Sequence, residues 1–132
     1  MKYLRKLHDT VSFDFDGVLH SSVIGLNPIN WDKPKTWKPR LDMFEKLRKE
    51  AETHKVVIVS ARDQWMKPYI EEFISMHNLP VSEIFCTDDE PKKEILKSVK
   101  AIRHYDDNPA TSVPEDTKLI LVKPHEMDSH RE

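Results

Sequence analysis

Short apolar runs alternate with amphipathic stretches along the chain, in the rhythm of an α/β domain. Strands are predicted over residues 10–15, where Thr10-Val11-Ser12-Phe13 runs into Asp14-Phe15, and over Lys55-Val56-Val57-Ile58-Val59. Three more are predicted over Ile84-Phe85-Cys86, Ala101-Ile102-Arg103-His104-Tyr105 and Leu119-Ile120-Leu121-Val122. Pro39 opens a predicted helix whose inward face is Leu41, Phe44, Leu47 and Ala51, with Lys46, Arg48, Lys49 and Glu50 largely on the other side. Asp63 can cap a second helix running to about His77, with Trp65, Tyr69, Phe73 and Met76 as its apolar stripe and Pro68 in its first turn. A third, shorter helix begins at Pro91 and carries Ile95, Leu96 and Val99 inward. Strand-helix-strand spacing of this kind calls for parallel strands joined by right-handed crossovers, hence a three-layer α/β/α sandwich around a parallel five-stranded sheet.

Size and charge narrow the class. The 132 residues suffice for one domain with a core and are too few for two of ordinary size, so residues 1–132 are read as a single domain. Formal charge is -2, with 33% charged and 38% hydrophobic residues, which suits a soluble globular protein and excludes a globally basic nucleic-acid binder. Cys86 has no second cysteine to pair with, and within an apolar run it reads as core. No apolar run approaches a membrane span, and the basic start, residues 1–7, lacks the apolar segment of a secretion signal. A cytoplasmic location is the default expectation, with residues 123–132 a polar tail in which His125 and His130 are solvated.

Candidate chemistry appears once the polar residues are placed on these strands. Asp14 and Asp16 end the first strand, Ser60 and Arg62 the second, Asp106 and Asp107 the fourth. In an open parallel sheet all carboxyl ends lie along one edge, where ligands bind, so the three clusters converge. Four carboxylates at one rim repel one another unless a cation lies among them, and an all-oxygen set without His or Cys favours a hard ion such as Mg²⁺. A hydroxyl and cations alongside suggest a phosphate. Plainer readings stand beside these: Ser60 can be a strand-end cap, and Asp106-Asp107-Asn108-Pro109 a turn. Asp88-Asp89-Glu90, just before the third helix, reads as capping and dipole complementation.

Together these motifs resemble the haloacid dehalogenase (HAD) superfamily of phosphohydrolases across residues 10–122. Asp14-Phe15-Asp16-Gly17-Val18 matches its first motif, Val57-Ile58-Val59-Ser60 its second, and Tyr105-Asp106-Asp107-Asn108 its fourth. Lys92 or Lys93 satisfies the third, Lys92 being preferred because Ile95 and Leu96 follow it at helical spacing. The resemblance implies Asp14 as nucleophile forming an aspartyl-phosphate, Asp16 as general acid and base, and Lys92 neutralising phosphoryl charge. It implies Ser60 on a phosphoryl oxygen, and Mg²⁺ on Asp14, the main-chain carbonyl of Asp16, Asp106 and, directly or through water, Asp107.

In this superfamily cap insertions control substrate choice, and neither insertion point here has room for one. An open site suits a phosphate on something large. Residues 20–38 form a loop or flap in which Trp31-Asp32-Lys33-Pro34-Lys35-Thr36-Trp37-Lys38-Pro39-Arg40 carries four basic residues against one acidic. One reading makes it a nucleic-acid or nucleotide platform, with Trp31 and Trp37 stacking on bases. The other has both tryptophans packing the loop onto the sheet edge. Ser60-Ala61-Arg62 is similar to the Ser-Gly-Arg of polynucleotide 3'-phosphatase domains, with Ala61 in place of glycine. The expectation is a Mg²⁺-dependent phosphomonoesterase acting on a nucleic-acid 3' end. A nucleotidase or a catalytically silent binding module of the same fold are the alternatives, and no protein partner is inferable.

Overall fold

A computed structural model describes residues 9–21 and 30–123. Five parallel strands, β1 (Thr10–Phe13), β2 (Lys55–Ser60), β3 (Glu83–Cys86), β4 (Ala101–Asp106) and β5 (Lys118–Leu121), form one sheet in the order β3-β2-β1-β4-β5. Three α-helices, α1 (Leu41–Ala51), α2 (Lys67–Met76) and α3 (Lys93–Ser98), make the crossovers between strands. This is the predicted three-layer α/β/α architecture, and it puts β1 at the centre.

The two faces of the sheet are separated by the alternation along each strand. Val11, Phe13, Val56 and Ile58 pack into a large core with Met43, Phe44 and Leu47 of α1 and Ile70, Phe73 and Ile74 of α2. Val57 and Val59 face the other way, into a smaller core with Leu96 of α3. Ser12 and the residues in register with it therefore look toward α3, the side on which the chemistry collects. No helix among the described residues is long and apolar enough to cross a membrane.

Several local expectations are corrected. β1 stops at Phe13 rather than residue 15, because after Asp14 N–H bonds the Tyr105 carbonyl (2.8 Å) the chain closes a turn in which Val18 and Leu19 both donate to the Phe15 carbonyl. In α1 the inward stripe is Met43, Phe44, Leu47 and Glu50, whereas Leu41 is 69% exposed, since at 3.6 residues per turn it lies roughly a third of a turn off that stripe. Glu50 is buried because Arg103 grips it with two bonds of 2.8 Å and the Tyr105 hydroxyl donates to it.

In the second helical stretch Trp65 and Met76 are exposed, and Ile70, Phe73 and Ile74 form the inward stripe. Trp65 belongs to a separate 3-10 turn, Gln64–Met66, and α2 starts anew at Lys67 with Pro68 in its first turn, which resets the helical phase. Asp63 gives that turn its carbonyl, not its side chain; the side-chain acceptor is Asp88, whose Oδ1 takes the Gln64 N–H at 2.8 Å. Asp88 and Asp89 both have positive φ and serve this loop instead of capping α3, which begins at Lys93 with no side-chain cap. Cys86 lies buried at the end of β3.

Candidate active site

Three strand ends and one helix start build the site. Asp14 follows β1 directly. Asp106 ends the neighbouring β4, and Lys92 sits at the entrance of α3 beneath the same edge. Lys92 Nζ lies 2.9 Å from Asp14 Oδ1 and 2.9 Å from Asp106 Oδ2, bridging two carboxylates that would otherwise repel. Asp14 Oδ1 also accepts the Phe15 N–H at 2.7 Å, so both of these bonds fall on one oxygen. Asp107 completes an acidic group: Asp14, Asp106 and Asp107 each offer an oxygen, all within 4.8 Å of one another. Gly17, at φ +82°, makes room for it, since a Cβ there would come within 2.1 Å of Asp107 Oδ2. Arg40, buried, holds the turn from behind by donating to the carbonyls of Gly17 (3.0 Å) and Lys123 (2.9 Å).

Burial is the largest influence on Asp14 and pushes its carboxyl up to about 8; Asp106 adds to this and Lys92 opposes it. Asp107 is raised too, by burial and then by the Asp106 charge. At Asp106, burial is outweighed by hydrogen bonds from His104 and Lys92 and by the lysine's charge, which hold it well below the usual carboxylate range. Lys92 is raised because, against its own burial, the two aspartates favour the ammonium.

Asp16 faces a different set of groups. Arg62 clamps it with Nε to Oδ2 (3.0 Å) and Nη2 to Oδ1 (2.8 Å), and His20 Nε2 lies 2.7 Å from Oδ1. Although burial alone would raise it, bonds from His20 and Arg62 bring Asp16 down to about 2. The guanidinium carbon of Arg62 lies 5.0 Å from the Phe15 ring centroid, 4.4 Å from that of Trp31 and 4.6 Å from that of Trp37. Arg62 is only 5% exposed, and among the described residues its Nη1 is buried with no acceptor.

The sequence matches no family model and no curated protein. Two solved structures resemble the fold. One is a chain of the Pnkp1/Rnl/Hen1 complex, 18% identical, with a TM-score of 0.68, covering 91% of this chain and 47% of that one. The other is a chain of the Pnkp1/Rnl/Hen1 RNA repair complex, 16% identical, with a TM-score of 0.67, covering 88% and 43%. This chain spans less than half the length of either.

The structure thus brings together Asp14, Lys92, Asp106 and Asp107, and beside them Asp16 and Arg62. Lys92 is the lysine of the site; Lys93 is exposed and in neither ion pair. Ser60 is buried, and its Oγ accepts the Arg62 N–H at 3.1 Å. Ala61 is exposed and contributes its carbonyl to Asp89 N–H. The side chain of Asp16 is outside the acidic group and turned to Arg62. Trp37 is not a stacking platform: it is 2% exposed, stacked on His20 and edge-on to Phe15, with its indole N–H donated to the Asn30 carbonyl. Trp31 keeps some exposure but lies over Arg62. Of the cations counted in that loop, Arg40 is buried while Lys33, Lys35 and Lys38 are exposed; residues 22–29 lie outside the described residues. Sequence reasoning passed over His20, His104 and Ser12. The available signal for two of them was a polar residue two positions before a rim carboxylate, Ser12 before Asp14 and His104 before Asp106.

Proposed function

We propose that the protein is a phosphomonoesterase of the HAD type that acts through an aspartyl-phosphate on Asp14 and takes a nucleic-acid 3'-phosphate end as substrate. The observation that carries the reaction class is the Asp14–Lys92–Asp106 bridge with Asp107 beside it. One carboxylate there has an oxygen outside both of its bonds, next to a fixed ammonium and two more carboxylates. Such an all-oxygen donor set fits a hard divalent cation. Mg²⁺ held by Asp14, Asp106 and Asp107, with the main-chain carbonyl of Asp16, would supply positive charge to a phosphoryl oxygen and would bring the raised Asp14 back to its anionic form.

The chain's own groups account for the remaining steps. The Asp14 carboxylate oxygen bonds to phosphorus as the ester oxygen leaves, taking its proton from Asp16. Asp16 then removes a proton from water, which attacks the phosphorus and releases phosphate and free Asp14. Lys92 neutralises charge that spreads over the phosphoryl oxygens. Ser60 Oγ already accepts one bond and keeps its own hydrogen for a phosphoryl oxygen. The unsatisfied Nη1 of Arg62 is a donor awaiting an anion. A phosphate that draws Arg62 toward itself weakens the clamp on Asp16, letting that carboxyl carry the proton its role requires.

The nucleic-acid end is supported by the likeness of the fold to chains of an RNA repair complex and by the absence of an inserted cap over the rim among the described residues. The test is phosphate release with Mg²⁺ from a 3'-phosphorylated oligonucleotide, a 5'-phosphorylated one, mononucleotides and an aryl phosphate, with Asp14→Asn as blank. Preference for the 3' end is the expected result. Preference for mononucleotides would make the protein a nucleotidase, and no release from any substrate together with no Mg²⁺ binding would end the hydrolase reading.

A further inference from the structure

Directly beneath the site, one residue pair deeper in the sheet, two polar side chains occupy positions where the fold would accept apolar ones. Ser12 of β1 and His104 of β4 are partners in the parallel register, and both are fully buried. By strand alternation they share the face that carries Asp14 and Asp106. His104 Nε2 lies 2.8 Å from Asp106 Oδ2, and its Nδ1 lies 2.8 Å from Ser12 Oγ. An ionised carboxylate only accepts, so His104 Nε2 donates to Asp106, and the other ring nitrogen is engaged by Ser12. Both ring nitrogens are thereby held, and the ring cannot flip without breaking two buried bonds.

The consequence falls on Asp106. Its Oδ2 receives His104 from below and Lys92 (2.9 Å) from α3, while its Oδ1 receives the Asn108 N–H at 3.0 Å. A hydroxyl and an imidazole buried in a parallel sheet must keep their hydrogen bonds, a demand that Val or Leu would not make, and at 0% exposure neither group is open to a substrate. We infer that His104, oriented by Ser12, is a positioning residue that fixes the plane of the Asp106 carboxylate for a divalent cation. This rests on the function proposed above, because it assigns Asp106 to that cation. Partners of this kind around metal-bound carboxylates change metal affinity or activity by about 10- to 100-fold when removed.

The experiment is direct Mg²⁺ titration by calorimetry, without substrate, of the wild type, His104→Leu, His104→Gln and Ser12→Ala, with thermal unfolding recorded for each. The expected result is affinity about 10- to 100-fold weaker in His104→Leu, a loss of several-fold in Ser12→Ala, and partial recovery in His104→Gln, whose amide N–H can reach Asp106. In turnover the KM for Mg²⁺ rises while kcat at saturating Mg²⁺ is largely kept, a split that general loosening of the sheet would not produce. Ser12→Ala removes a single hydroxyl, so it decides the matter if His104→Leu fails to fold. Wild-type affinity in both folded variants, or in Ser12→Ala alone where His104→Leu is unfolded, overturns the positioning role and leaves the hydrolase reading intact. Failure of the folded wild type to bind Mg²⁺ overturns the positioning role together with the cation assignment it rests on, and the phosphate-release panel then decides the hydrolase reading separately.

Discussion

Asp14 and Asp16 stand two residues apart in one turn, yet their surroundings drive them in opposite directions. Asp14 is buried beside Asp106 with a single lysine to offset it, and its carboxyl rises to about 8. Asp16 is held by a two-pronged arginine and a histidine, and falls to about 2. This ordering is the reverse of what their proposed roles demand, since a nucleophile must be anionic and a general acid protonated. The difference teaches that neighbours alone set the two carboxyls apart; on the mechanism proposed above, a cation among Asp14, Asp106 and Asp107 would favour the anion at Asp14, and a phosphate engaging Arg62 would let Asp16 carry a proton. Glu50, on the opposite face of the sheet, provides a third case. Its carboxylate is bound by Arg103 and Tyr105 of β4, so these bonds tie α1 to the sheet.

The most severe break is Asp14→Asn, which removes the carboxylate proposed as nucleophile and should lower phosphate release by on the order of 10³-fold or more, read in the oligonucleotide assay with circular dichroism to confirm folding. Arg62→Met comes next. It removes the clamp from Asp16 and the donor proposed for phosphate, so turnover should fall about 10²-fold while Asp16, followed by carboxyl-carbon NMR, titrates nearer the ordinary carboxylate range. An unchanged Asp16 titration would mean that His20 alone holds it.

Glu50 sharpens the comparison from the side of stability. Arg103, then Tyr105, lower its pKa in the fold, despite burial, below that of the unfolded chain. Its contribution is therefore present above the ordinary glutamate pKa and is lost as pH falls through the lower folded value. Urea unfolding between pH 7 and pH 3 should show that loss, and Glu50→Gln should be less stable at pH 7 by roughly 1.5–3 kcal/mol with no effect on Mg²⁺ affinity. Tyr105, pushed up to about 12 by burial and by Glu50, stays a donor throughout that range. The smallest effect belongs to Trp31→Ala, which removes one exposed ring from Arg62. It should weaken substrate binding by a few-fold, matching a cation–π contact of about 0.5–1 kcal/mol. A loss of 10²-fold in KM would instead give Trp31 the base-stacking role.

Legibility in the sequence followed the physics of each feature. The central strands were readable because parallel strands buried on both faces leave nearly continuous apolar runs, the edge strands β3 and β5 because short apolar runs still mark them, and the rim carboxylates because ionised groups at the ends of such runs are costly without a partner. The inward stripe of α2 was not readable: Trp65, Tyr69, Phe73 and Met76 fit a helical period as well as Ile70, Phe73 and Ile74 do, and the 3-10 turn before Lys67 selects the second set. Trp37 was ambiguous for a related reason. An indole flanked by lysines serves a ligand or a core equally well until the chain's path brings His20, Phe15 and Phe73 around it.

By itself the sequence determined the fold class, the edge of the sheet at which the polar residues gather and the residue types found there, since periodicity and strand polarity are local properties of the chain. Only the tertiary structure decided that Lys92 and not Lys93 bridges Asp14 and Asp106, that Asp16 belongs to Arg62 and His20, and that Ser12 and His104 stand behind Asp106. Each of these is a pairing across the sheet or between sheet and helix. Such pairings depend on register and approach to within a fraction of an ångström, which residues distant along the chain acquire only when the core beneath them has packed.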